Sequence, residues 1–173
     1  MYPKEYIQYL VHFHGDQDYF ECHELLEDLW KKSDFKNKHS IWVGFIQLAV
    51  ANYHHRRENF AGAKKTLKKA FNIFLSMEES ITNLGLEYHT LMATLTEQLA
   101  KIEQKNVFNS FQLPIYDDSL LNECKITCKQ KGLMWGNKSN ITDEHLVHRH
   151  MLRDRTMIIK QRQDSLEKRK GSE

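Results

Sequence analysis

The sequence predicts an all-α fold, a compact helical bundle of about five core helices with an extended strap and a C-terminal helical appendage. Its 173 residues include two prolines and seven glycines, fewer than the many turns of a sheet protein require. Apolar residues recur at intervals of three and four over most of the chain, which is the spacing of one helix face. Hydrophobic residues make up 40% of the chain, enough to form the core of one domain.

The first two helices are predicted at Pro3–His14 and Tyr19–Lys32. Proline suits the first turn of a helix, and Gly15 is a natural stop. Asp18, followed three residues later by Glu21, resembles a capping box and is expected to start the second helix. The inward stripe of that helix is predicted to consist of Phe20, His23, Glu27 and Trp30, with Leu26 beside it.

The third helix is predicted to be the central one. Ser40 is expected to cap it, and it runs from Ile41 to about Arg57 without a charged residue until its last turn. A helix that lacks a polar face is surrounded by neighbours. Asn59 is expected to cap a fourth helix, Phe60 to about Met77, and a fifth helix is predicted from about Leu86 to Gln104.

The chain is predicted to consist of a helical core bundle, residues 1–105, and a C-terminal strap and basic helical segment, residues 106–173, which is either part of the same domain or an appendage. Phe108–Tyr116 contains a proline and is predicted to be an extended strap packed on the bundle. Asp118 or Ser119 is expected to cap a short helix that ends near Lys131.

The C-terminal end is basic, with eight Lys and Arg against three Asp and Glu between residues 145 and 170. The simplest interpretation of this segment is a solvated amphipathic helix. Among interactions, docking on the bundle, self-association or binding of a protein partner is favoured over nucleic-acid binding. The residues expected to make this interaction are His150, Arg153, Asp154 and Arg155.

Cysteine usage and hydropathy indicate a soluble cytoplasmic protein that does not enter a membrane. Cys22, Cys124 and Cys128 are odd in number and not spaced as a disulfide framework, which fits a reducing compartment. We interpret Cys124 and Cys128 as half-buried small apolar residues rather than as metal ligands or redox sensors. The N-terminus lacks a signal-peptide pattern, and the longest uncharged run, residues 39–55, is too short and polar for a membrane span.

The segment richest in chemistry is the His/Glu run of residues 21–27. Residues four apart are neighbours on a helix, so His23 and Glu27 are adjacent. If the second helix packs antiparallel to the third, one polar group is expected to converge from both: His23, Glu24, Glu27, Gln47 and His54. We interpret His12 and His14, by contrast, as solvent-exposed polar side chains and not as a ligand pair, because residues two apart point to different sides of a helix.

One hypothesis for this group is an enzyme-like, metal-dependent hydrolase site. Imidazole and carboxylate are ligands that zinc and manganese accept. The run is not a zincin motif, because Glu27 stands where the second histidine would be. In this hypothesis His23, Glu27 and His54 hold a divalent metal and Glu24 is the general base.

The alternative is a non-enzymatic helical scaffold or protein-interaction module, in which the same side chains form a structural hydrogen-bond network. An anion or small-molecule pocket is a third interpretation. In each case we expect Gln47 and three further residues, Glu21, Trp30 and Asn59, to take part in the polar network or to bind a ligand.

Three spaced motifs resemble the bacterial family catalogued as domain of unknown function 309. They are FECHELLEDLW at residues 20–30, GFIQLA at 44–49 with His54 following, and NFAGA at 59–63. The resemblance covers about residues 10 to 75, and the segment 150–155 is similar to the tail of the longer, Bacillus-type members. The resemblance implies a compact helical bundle and, because the family is labelled a predicted metal-dependent hydrolase, a metal site at the His/Glu residues.

Overall fold

The computed structural model describes residues 1–136 and the isolated positions 163, 164 and 167. The predicted tail residues His150, Arg153, Asp154 and Arg155 lie outside this described part. Within residues 1–136 the regular structure is helical, which confirms the all-α prediction. The helices are α1 (Lys4–His14), α2 (Tyr19–Ser33), α3 (Ile41–Arg56), α4 (Phe60–Phe74), α5 (Glu78–Asn83), α6 (Tyr88–Glu103) and α7 (Asp118–Gln130).

The three helix caps predicted for α2, α3 and α4 are confirmed. The side chains of Asp18, Ser40 and Asn59 each accept a hydrogen bond from a backbone N–H two or three residues further on. Each bond satisfies one of the N–H groups that the first turn of a helix leaves without an intrahelical partner. These short-range signals therefore set where the helices that line the candidate site begin.

Helix α3 is central, as predicted. Ten of its 16 residues are buried, and it packs between α2 and α4. Helix α1 also contacts it, since the Tyr9 hydroxyl donates a 3.0 Å hydrogen bond to the Phe45 carbonyl. None of the helices that the structure describes, α3 included, is long and apolar enough to cross a membrane.

The segment between α4 and α7 differs from the prediction in three places. Helix α4 ends at Phe74 rather than near Met77, and the short helix α5, which was not predicted, follows. Helix α6 begins at Tyr88 rather than Leu86, because Leu86 forms an antiparallel bridge with Ile115 of the strap. Helix α7 is capped by Asp117, one residue before the predicted Asp118 or Ser119.

The buried face of α2 is not the predicted stripe of Phe20, His23, Glu27 and Trp30. The stripe lies at intermediate exposure beside the core. A second set of residues at the same spacing is less polar and costs less free energy to bury than His and Glu. These residues form the inward face: Tyr19, Cys22, Leu26 and Leu29.

The strap is held to α1 by His14, which is buried and not exposed to solvent as the sequence predicted. Its Nδ1 donates to the Leu10 carbonyl at 2.8 Å, and its Nε2 accepts from the Leu113 N–H at 3.0 Å. The ring also stacks on Trp135, with centroids 4.4 Å apart. Both ring nitrogens are therefore used, in one neutral tautomer.

Gly44→Ala is expected to destabilise the α3–α4 contact. A Cβ at Gly44 would lie 2.5 Å from Cε1 of Phe74, a fully buried ring that packs against Phe45. The free-energy cost of overpacking exceeds the gain in helix propensity that alanine brings. The free energy of unfolding should therefore fall by about 1–2 kcal/mol. Urea denaturation measures the loss, and in a Phe74→Leu background the loss should be smaller. An equal loss in both backgrounds would contradict the close contact.

The free energy of unfolding should decrease as the pH is lowered, because of His14. Burial lowers the pKa of this imidazole from 6.5 to about 4, against the opposing effect of its backbone hydrogen bonds. The unfolded chain therefore takes up the proton first, so the contribution is complete above the unfolded pKa and is lost as pH falls toward the folded one. We expect His14 to account for a loss of about 2–3 kcal/mol between about pH 7 and pH 4.5.

The measurement is urea unfolding of the wild type and of His14→Gln at both pH values. The variant should lack this part of the pH dependence. His89→Gln, which changes an exposed histidine, is the matched control and should retain it. Identical pH dependence in wild type and His14→Gln would show that His14 is not buried as the neutral ring.

Candidate functional site

A cleft of about 610 Å³ opens between α2, α3 and α4. This volume lies within the range of small-molecule sites. Four apolar side chains contribute to its lining: Trp30 from α2, Val43 and Ile46 from α3, and Ile73 from α4. The cleft exists because α2 and α4 pack on the same central helix, α3.

The polar wall of the cleft on α2 is formed by His23 and Glu27. They are one helical turn apart, and His23 Nε2 lies 3.2 Å from Oε2 of Glu27. Both are about one-third exposed, at 28% and 33%, so solvent and a ligand can reach them. The other oxygen of Glu27, Oε1, is 2.8 Å from Nζ of Lys31.

Glu24 approaches the opposite side of the His23 ring. Its Oε1 is 3.7 Å from Nδ1 of His23, within ion-pair distance but beyond a direct hydrogen bond. Unlike His23 and Glu27, Glu24 does not line the cleft. The imidazole therefore lies between two carboxylates, each next to a different ring nitrogen.

The predicted convergence of α2 and α3 is found for Gln47 but not for His54. Gln47 lines the same cleft as His23 and Glu27. His54 is two helical turns further along α3, a rise of about 10 Å. There its Nδ1 is 3.1 Å from Nδ2 of Asn59. Burial is the main cause that lowers the pKa of His54, and the positive charge of Arg57 is a smaller one.

The other predicted polar residues have different positions. Trp30 lines the cleft, and its indole Nε1 donates to the Asn37 carbonyl at 3.0 Å. Asn59 caps α4 at the far end of α3. Glu21 lies in the first turn of α2, where its backbone N–H donates to Asp18.

Three side chains among the described residues form a group that could hold a metal ion: His23, Glu24 and Glu27. Their ligand atoms all lie within 4.8 Å of one another. His54 is not part of this group. The proximity of the three follows from helix geometry alone, since they occupy one turn of α2.

The sequence analysis did not identify Lys69, which lines the cleft from α4 together with Asn72. It also missed Lys38 and His39, which belong to the loop before α3. The sequence carries one signal for the α4 pair, because Lys69, Asn72 and Ile73 have the spacing of one helix face. A loop position has no such periodic signal.

A buried polar corner next to the site was also missed. Arg56, at the end of α3, is only 5% exposed. Its Nη1 donates to the Gln17 carbonyl at 2.7 Å, and its guanidinium lies 4.8 Å from the centroid of the Tyr19 ring. This contact holds the start of α2 against the end of α3, and so supports the wall that carries His23.

The fold and the cleft define an all-α bundle with a His/carboxylate wall on its second helix. The family model described as "Domain of unknown function (DUF309)" matches residues 6–66. The uncharacterised protein YpuF of Bacillus subtilis (strain 168) is 44% identical over 172 residues, which cover 99% of each chain. The chain belongs to the DUF309 family, as the motifs predicted, and no solved structure matches it.

Asn59→Ala is expected to lower the free energy of unfolding by about 1 kcal/mol, because it removes the α4 cap and the contact with His54. Asn59→Asp keeps an oxygen for the Gly62 N–H and loses only the donor to His54. It should therefore retain most of the stability. Chemical denaturation of the two variants tests this, and equal losses would indicate that the cap contributes nothing.

Proposed function

We propose that the cleft is a metal-dependent site of the hydrolase type, in which His23 and Glu27 hold a divalent cation. The observation that carries this proposal is the 3.2 Å approach of His23 Nε2 to Glu27 Oε2 on the wall of a cleft of small-molecule size. Imidazole and carboxylate together suit zinc or manganese. Two ligand atoms on one such cation lie about 3 Å apart, so His23 and Glu27 could bind it with little movement of their side chains.

Glu24 is assigned a positioning role in place of the general-base role that the sequence suggested. One ring nitrogen binds one cation, so a metal at Nε2 leaves Nδ1 protonated and facing Glu24. A carboxylate on the second nitrogen of a metal-binding histidine fixes the ring and its tautomer. Because Glu24 does not line the cleft, it is poorly located to take a proton from a bound ligand.

A divalent cation at this position supplies Lewis acidity, which makes water a better nucleophile near neutral pH. The remaining tasks belong to the chain itself. Gln47 presents an amide that can donate to, and accept from, a ligand in the cleft. Trp30 and Ile46 cover its apolar part, which excludes water and strengthens polar contacts.

The setting that we infer for this function is the cytoplasm. Cys22, Cys124 and Cys128 are all buried and free, which suits a reducing compartment. A protein partner or second copy bound through the C-terminal segment stays a prediction, because that segment lies outside the described residues.

The second candidate is the non-enzymatic scaffold, and one observation favours it. Lys31 and His23 already flank the two oxygens of Glu27, so the local charges are compensated without a cation. In that case the same residues stabilise α2 by interactions one turn apart, each contributing a few tenths of a kcal/mol.

The two candidates differ in their response to metal. For the metal site, zinc or manganese at about 100 times the dissociation constant should add about 2.7 kcal/mol of stability and raise the melting temperature. His23→Ala and Glu27→Gln should abolish this gain, whereas Glu24→Gln should weaken binding about 10- to 100-fold. Differential scanning calorimetry and titration calorimetry measure both effects.

His54→Ala is the matched control, since it removes an α3 histidine that does not belong to the group. It should retain the full metal response. A wild type without a metal-induced shift, or an equal shift in His23→Ala, would favour the scaffold. In that case His23→Ala is simply less stable, with and without a chelator.

A further inference from the structure

The cleft carries positive charge that the metal proposal does not use. Lys38 and His39 contribute to its lining from the loop before α3, and Lys69 does so from α4. Within the described part of the chain, neither lysine has a carboxylate within ion-pair distance, whereas Lys31 and Lys64 each do. Two ammonium groups at one cleft attract an anion and raise its local concentration.

The loop that presents Lys38 and His39 is held in a defined place. Trp30 Nε1 donates to the Asn37 carbonyl, and the Asn37 side chain donates to Asp34 Oδ2, both at 3.0 Å. Oδ1 of Asn37 in turn accepts from the His39 N–H at 3.0 Å. Since Trp30 itself lines the cleft, these bonds tie the positive loop to the cleft.

Besides His23 and Glu27, whose carboxylate is paired with Lys31, the rest of the lining adds an apolar surface and two neutral amides. Trp30, Val43, Ile46 and Ile73 supply aromatic and aliphatic contacts. Gln47 and Asn72 supply N–H donors that an anionic oxygen accepts. Small-molecule sites combine these elements, a mostly apolar lining with a few polar groups that set orientation.

We propose that the cleft binds a small amphiphilic anion, with an aromatic or aliphatic body against Trp30 and Ile73 and an acidic headgroup at Lys38 and Lys69. The shared chemistry of the headgroup is a carboxylate, sulfonate or phosphate. The inference rests on the proposed function only in that it names the ligand class of the same cleft. It does not depend on the metal.

The test compares two fluorescent probes that share an apolar body and differ in charge. They are 8-anilinonaphthalene-1-sulfonate and the uncharged N-phenyl-1-naphthylamine, titrated into the full chain in the presence of a chelator. We expect the sulfonate to bind one site of the wild type. The double variant Lys38→Met/Lys69→Met should weaken sulfonate binding about tenfold and leave binding of the neutral probe unchanged.

Two control variants locate the effect. Lys65→Met/Lys68→Met also removes two positive charges, but from residues of α4 that do not line the cleft. This variant should bind both probes like the wild type. Ile73→Gln changes the apolar lining and should weaken both probes. Circular dichroism and a cooperative thermal melt establish that each variant is folded, since this sulfonate also binds expanded states.

Three results overturn the inference: no sulfonate binding to the wild type, equal binding to the wild type and the Lys38/Lys69 variant, or an equal loss of both probes in that variant. A metal titration of the same variant separates this failure from failure of the proposed function. If the metal response is retained but the Lys38/Lys69 variant does not lose sulfonate binding selectively, the anion site alone is rejected. If the variant loses sulfonate binding selectively but metal does not stabilise the protein, the metal site alone is rejected.

Discussion

The rest of the structure depends on one constraint, that helix α3 has no charged face to turn toward water. An α-helix of this composition is stable only when neighbours cover it, and α1, α2 and α4 provide that cover. The cleft is a by-product of the same packing. Helices α2 and α4 both lie against α3, and Val43, Ile46 and Gln47 line the cleft that is left between them. The candidate chemistry therefore lies where coverage of the central helix is incomplete.

The sequence predicted the helices well where the signals are local. Caps such as Asp18, Ser40 and Asn59 act within three residues, so they can be recognised without the tertiary structure. The start of α6 was wrong because a residue nearly 30 positions away, Ile115, pairs with Leu86. The inward face of α2 was wrong for a different reason. Two stripes share the same spacing, and the cost of burying His23 and Glu27 decides between them.

Only part of the candidate site was predictable for the same reasons. His23, Glu24 and Glu27 are brought together by one turn of α2, so their spacing is sufficient. Gln47 required the correct packing of α2 on α3, which the composition of α3 implied. His54 does not lie at the cleft, because two residues on the same face of a helix can be about 10 Å apart along its axis. Lys38 and Lys69 come from a loop and a third helix, and their meeting depends on tertiary contacts that periodicity does not encode.

The bond between His14 and Leu113 has a consequence for where the folding unit ends. It joins residues 99 positions apart, and Phe13 and Tyr19 pack against Phe111 and Phe108 in the same region. Helix α7 also packs against α1. The segment that the family model matches, residues 6–66, thus contains an N-terminal helix that is covered partly by α2 and α3 and partly by residues outside that segment. Cut out alone, it would expose several aromatic rings and leave Nε2 of His14 without the Leu113 N–H from which it accepts. We therefore expect the smallest fragment that folds on its own to extend through α7.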